Sequence, residues 1–156
     1  GHLVPEQFPG MTRIDFYILN DDSPTGRQRF ACRLAEKAFT QGYRIYIHTE
    51  DAAQAEAMDQ LLWTFRAGSF LPHEHVTADG VNDDTVPIHL GHGEEPHSHD
   101  DVLINLAPQV PLFFSRFQRV AEVINQGEEQ RQLGRERFRF YRERGYPLDT
   151  HNIDSR

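Results

Sequence analysis

Cysteine is nearly missing from this chain: of 156 residues only Cys32 carries a thiol, so no disulfide within the chain can brace it. Set in RFACRLAEKAF, that residue reads as a small packing side chain on a helix rather than a nucleophile. No apolar run approaches the roughly 20 residues that span a bilayer, and no signal-peptide pattern opens the sequence, so the expected location is the cytoplasm, without membrane contact. Glycine is lacking where nucleotide chemistry would need it. The turn NDDSPTG, which follows the first strand candidate, holds neither the three spaced glycines of a dinucleotide site nor the Gly-Lys-Ser/Thr ending of a phosphate loop. The only lysine, Lys37, lies well inside the next helix, and a pyrophosphate at the turn would meet Asp21 and Asp22. Ser23, Ser69, Ser98, Ser115 and Ser155 have no glycine-flanked elbow around them. Neither catalysis nor a cofactor is therefore expected.

What is present is the composition of a folded globular protein, 38% hydrophobic and 26% charged. Its length suits one domain with a core of useful size. Residues 1–10, GHLVPEQFPG, read as a cloning remnant or upstream extension ahead of Met11. The domain is expected over residues 11–153, with 154–156 a tail.

RIDFYIL (13–19) is short, apolar and rich in strand formers, and NDDSPTG stops it. From Thr25 to Gln41 apolar residues recur at helical spacing, and Gly42 closes that helix. YRIYIH (43–48) predicts a second strand, and Asp51 with Gln54 has capping-box spacing ahead of a helix running to about Trp63. HEHV, VPIHL and DVLINL give three further strand candidates. PLFFSRF predicts a short helix or turn, RVAEVIN a final strand, and 126–144 a last helix. Such alternation favours an α/β fold: a mostly parallel sheet flanked by helices, joined by right-handed crossovers.

Residues 77–101 are polar and rich in Gly, Pro, His and acid, hence loop-heavy. Within them His89, His92, His97 and His99 accompany Glu94, Glu95, Asp100 and Asp101, types that suit zinc. A Gly/Pro-containing loop does not preorganise such ligands, so a solvated polar loop is the expectation and no metal is assigned. A metal-dependent hydrolase centred on 89–101 is the enzymatic alternative.

Positive charge is concentrated near the end. The formal net charge is -8, yet residues 131–144 hold six arginines (131, 135, 137, 139, 142, 144) against two glutamates, a local +4 that leaves -12 for the rest. On a helical wheel Arg131, Arg135, Phe138, Arg139 and Arg142 fall within an arc of about 100°. That arc cannot be a core face, since four guanidinium groups would be stranded from water. Leu133, Phe140 and Tyr141, with the stems of Arg137 and Arg144 alongside, are expected to face the sheet, which leaves Phe138 outside among cations. A solvated face with one incidental ring is the plain reading. The functional one is a notch that takes an apolar group and anions together, because arginine pairs with carboxylates bidentately and stacks on rings. Single-stranded nucleic acid also suits these residue types, but one helix on an acidic body is poor material for tracking a backbone.

The landmarks IDFYIL, RIYIHTEDAAQAEAMDQLLW, SFLPH, DVLINL and RERFRFYRERGY, in this order and spacing over nearly all of residues 11–153, resemble the chi subunit of bacterial DNA polymerase III holoenzyme, a clamp-loader accessory protein. The resemblance implies a Rossmann-like or helicase-like fold without nucleotide machinery. It implies a non-catalytic adaptor that binds the acidic C-terminal tail of single-stranded DNA-binding protein, ending in Pro-Phe with a free carboxylate. A second small subunit, psi, would link it to the clamp loader, so that DNA is engaged only indirectly. Carried over by position, the tail-binding residues are Ile124, Arg135, Phe138, Arg139 and Arg142, of which Ile124, Phe138 and Arg139 replace the family's Val, Tyr and Lys. Trp63 and Phe70, otherwise ordinary core aromatics, are implied in docking psi or a competing helicase.

Overall fold

The structure is a computed structural model that describes residues 11–68, 71–76, 83–96 and 98–154. Seven strands form one sheet in the order β3-β4-β2-β5-β6-β1-β7, and every neighbouring pair is parallel. They are β1 (Arg13–Leu19), β2 (Ile45–His48), β3 (His73–His75), β4 (Ile88–Gly91), β5 (Val102–Asn105), β6 (Arg119–Ile124) and β7 (Leu148–Ile153). Among the described residues three helices flank the sheet, α1 (Pro24–Thr40), α2 (Ala52–Thr64) and α3 (Glu128–Glu143), and one 3-10 turn spans Phe114–Arg116.

Local chemistry sets the helix starts. Ser23 caps α1 by accepting from the Gly26 N–H, with Pro24 in the first turn. Asp51 caps α2 by accepting from the Gln54 N–H, and Gln54 reaches back to the Glu50 N–H. The reciprocal bond thus falls one residue upstream of an ideal capping box. Gly145, with φ +80°, ends α3 in the left-handed conformation that a side chain would resist.

Each face of the sheet buries its own cluster. On one, α1 and α2 pack Phe30, Ala35, Met58 and Leu62 onto Ile45, Ile47, Leu90 and Ile104. On the other, α3 and the segment around Phe113–Phe117 cover Ile14, Phe16, Leu103 and Val120. β2 and β4 are buried along their whole length, the mark of a sheet covered on both sides.

One element departs from expectation. β6 is not the final strand: β7 follows α3 and pairs in parallel with β1, matching Ile14 with Leu148 through Leu19 with Ile153. LDTHNI lacks an apolar run because β7 is an edge strand with one neighbour, and its residues are only half-buried or exposed.

Candidate functional site

Three buried residues, Gly134, Arg137 and Tyr141, form the line by which α3 meets the sheet. Gly134 belongs there because a β-carbon would run into the Ile124 side chain, so the helix rides directly on β6. Arg137, 3% exposed, enters the core because Glu122 of β6, 0% exposed, receives it. Its Nε donates to Glu122 Oε1 at 2.7 Å, and its Nη1 donates to the Pro108 carbonyl at 2.9 Å. Tyr141 Oη donates to Glu122 Oε2 at 2.7 Å, and Asn105 Nδ2 donates to the same carboxylate. Burial, then the adjacent Glu122, pushes the Tyr141 hydroxyl well above the usual phenolic range, so it remains a donor.

This pairing corrects the wheel. With Arg137 inside, α3 is turned by roughly 50° from the orientation in which Leu133, Phe140 and Tyr141 are its core face. Leu133 and Phe140 become half-buried flanks, and Arg144 stacks over Phe140 at 3.7 Å. Phe138 is not fully outside. It is half-buried, with its ring against Phe16 at 5.2 Å between centroids. Arg142 lies 5.9 Å over the same ring.

Arg131, Arg135, Arg139 and Arg142 are exposed, and among the described residues none forms an ion pair. Ile124, 7% exposed, shares a cluster with Phe138. The structure thus sets four cations without internal counter-ions on the helix that carries a half-covered ring, with a β-branched residue beneath. Such a surface can seat an apolar side chain while pairing with carboxylates.

Trp63 lies elsewhere, on α2. It is 41% exposed rather than a core aromatic, with its ring 4.1 Å from that of His73. Phe70 lies outside the described residues, as does His97. Two of the remaining histidines of the polar loop are engaged internally, while His92 lines an open concavity. His89 and His99 are buried and stacked at 3.7 Å, with Nε2 of each donating to a backbone carbonyl, of Asp83 and Val86 respectively. Among the described residues no three His, Cys, Asp or Glu side chains converge as a metal cage.

In open parallel sheets, ligands gather at the strands' carboxyl ends where successive crossovers leave in opposite directions. Neighbouring strands with such crossovers include β2 and β5 as well as β6 and β1, and at the β6/β1 pair the chain's own residues occupy the space. The Gln126 N–H donates to the Asp21 carbonyl at 2.6 Å, Gln126 Nε2 donates to the Leu19 carbonyl, and Asn125 Nδ2 donates to the Ser23 carbonyl. A concavity of about 920 Å³ opens further along, beside His48, His92 and the segment 107–113. His48 is no free base within it: Nδ1 donates to Asn105 Oδ1 and Nε2 accepts from the Gly93 N–H. Burial lowers its pKa, which keeps the ring neutral.

The architecture is therefore that of an α/β domain built on one parallel seven-stranded sheet, with the ends of β1 and β6 tied together by the chain's own backbone and amides. T4 UvsW shares the fold with a TM-score of 0.68 at 8% identity, over 94% of this chain, which spans 42% of the UvsW chain. The family described as "DNA polymerase III chi subunit, HolC" matches residues 11–149, and the chain belongs to that family. It is 46% identical over 143 residues to DNA polymerase III subunit chi of Pseudomonas aeruginosa, covering 92% of this chain and 98% of that protein. Subunit chi of Escherichia coli is 29% identical over 145 residues, covering 90% and 97% respectively. The expected α/β class and family resemblance hold, and the chain is a replication accessory subunit.

Proposed function

We propose that the protein is a non-catalytic adaptor whose α3 captures the acidic C-terminal tail of single-stranded DNA-binding protein, and which joins the clamp loader through psi. The observation that carries this reading is the set of four exposed arginines that form no ion pair among the described residues, around a half-covered phenylalanine, on a molecule of formal net charge -8. Phe138 and the exposed margin of Ile124 receive the terminal ring, Arg135 clamps its carboxylate, and Arg139 and Arg142 steer the preceding acids. Burying one ring contributes about 1.5–3 kcal/mol. Exposed ion pairs add about 0.2–1 kcal/mol each. With three arginines engaged the sum is about 2–6 kcal/mol, so the affinity that follows is weak, about tens of micromolar at its tightest. Trp63, exposed on α2, offers a separate surface for psi.

Fluorescence anisotropy with a labelled acidic peptide ending in Pro-Phe tests the reading. Arg135→Ala is expected to abolish measurable binding with the circular dichroism melt unchanged, and amidating the peptide terminus is expected to weaken it strongly. Wild-type affinity for a peptide without its last Phe would sink the notch. Tighter binding of an oligothymidine, with a steep salt dependence, would favour direct contact with single strands instead.

A further inference from the structure

Seven strands at about 4.8 Å span about 29 Å between the outer strand axes. Two helices of about 10 Å side by side cover only about 20 Å. On the face shared by α1 and α2, α1 lies over β2, β5 and β6 while α2 lies against β3 and β4. The β1/β7 end of that face has no helix among the described residues, although parallel sheets are almost always covered on both sides. A trough of about 360 Å³ runs there beside α1. Its apolar lining includes Tyr17, Leu34, Val102 and Ile153, with Ala121 and Ile104 buried beneath.

The charge around this trough is opposite in sign to that of the molecule. Arg33 and Lys37, one turn apart on α1, are exposed and form no ion pair among the described residues. Arg119 stands opposite on β6, half-exposed. The one carboxylate in the lining, Asp15, is 6% exposed and is already held by His151 Nε2 at 3.0 Å and Arg119 Nε at 3.7 Å. Tyr17 is stacked on His151 at 4.7 Å, so its ring is not free to stack on a base. An aliphatic floor flanked by cations suits a peptide better than a nucleic acid.

We propose that this trough docks an amphipathic helix from another protein, one with an aliphatic stripe flanked by Asp and Glu, lying beside α1 as the missing helix of that face. This surface is on the opposite side of the sheet from α3 and goes beyond the tail-binding reading. The chain's own α3 is cationic on its outer face, which disfavours a second copy contributing it.

The test is a 15N-labelled protein titrated with an 18-residue peptide carrying Leu at i, i+3, i+4 and i+7 spacing and Glu on both flanks. Amide shifts are expected to cluster at 33–38, 102–104 and 151–153. Arg33→Glu combined with Lys37→Glu is expected to weaken binding at least tenfold with spectral dispersion intact, while Arg135→Ala leaves it unchanged. That last variant separates this site from the tail site, since it removes one without touching the other. Equal binding of a Lys-flanked peptide, shifts confined to α3, trough shifts induced by an oligothymidine, or concentration-dependent self-association that covers the trough would each overturn the proposal.

Discussion

Arg137 shows how one buried charge orients a whole surface. Its pairing with Glu122, shared with Tyr141 and Asn105, turns α3 so that the other arginines point outward. Breaking a buried pair by removing one partner costs about 3–5 kcal/mol because the remaining charge is uncompensated. Arg137→Met is therefore expected to lower the urea midpoint by that equivalent. Adding Glu122→Gln should recover part of the loss, since the amide still accepts from Tyr141 without carrying charge. Additive losses in the double variant would contradict the coupling. At this scale the sequence was half legible: the cationic arc of 131, 135, 139 and 142 could be read from spacing. The exception, Arg137, could not, because its tolerance for burial depends on a carboxylate fifteen residues upstream on a different element.

Among the elements, those with continuous apolar runs were readable. β1 occupies the predicted 13–19, and the predicted starts of α1 and α2 lie within a residue of the observed ones. β7 escaped because an edge strand needs neither an apolar run nor β-branched residues; it is specified by what β1 leaves open. Its energetic role follows from that position. It completes one side of β1, and Tyr146, just before it, packs edge-on against Phe114 at 5.1 Å. Truncation after Gly145 is expected to expose the β1 edge, lower the melting temperature and shift the protein to the insoluble fraction. Unchanged solubility and melting would show that β1 tolerates an open edge.

For the molecule as a whole, acid is the expected weakness. Burial lowers the pKa of both His48 and His99 below the ordinary imidazole value of 6.5. The folded protein then binds fewer protons than the unfolded chain below that value, so stability rises with pH through the window under 6.5 and levels off above it as far as these groups are concerned. Urea titrations from pH 5 to 7 should show this positive slope, and His99→Gln should reduce it. An unchanged slope in that variant would remove His99 from the account. The charge balance acts on the same scale: a body of net -8 repels an acidic ligand everywhere except at its cationic patches, which directs encounter to them.

By itself the sequence determined the α/β alternation, the failed nucleotide turn, the arginine-rich helix and the resemblance to chi, because periodicity, turn chemistry and residue type are local properties. Tertiary structure alone decided the strand order, the presence of β7, the rotation of α3 about its axis and the end of the α1 face that no helix covers among the described residues. Each of those depends on which distant groups come to lie opposite one another, and the energy of a buried charge or an open sheet face exists only once they meet.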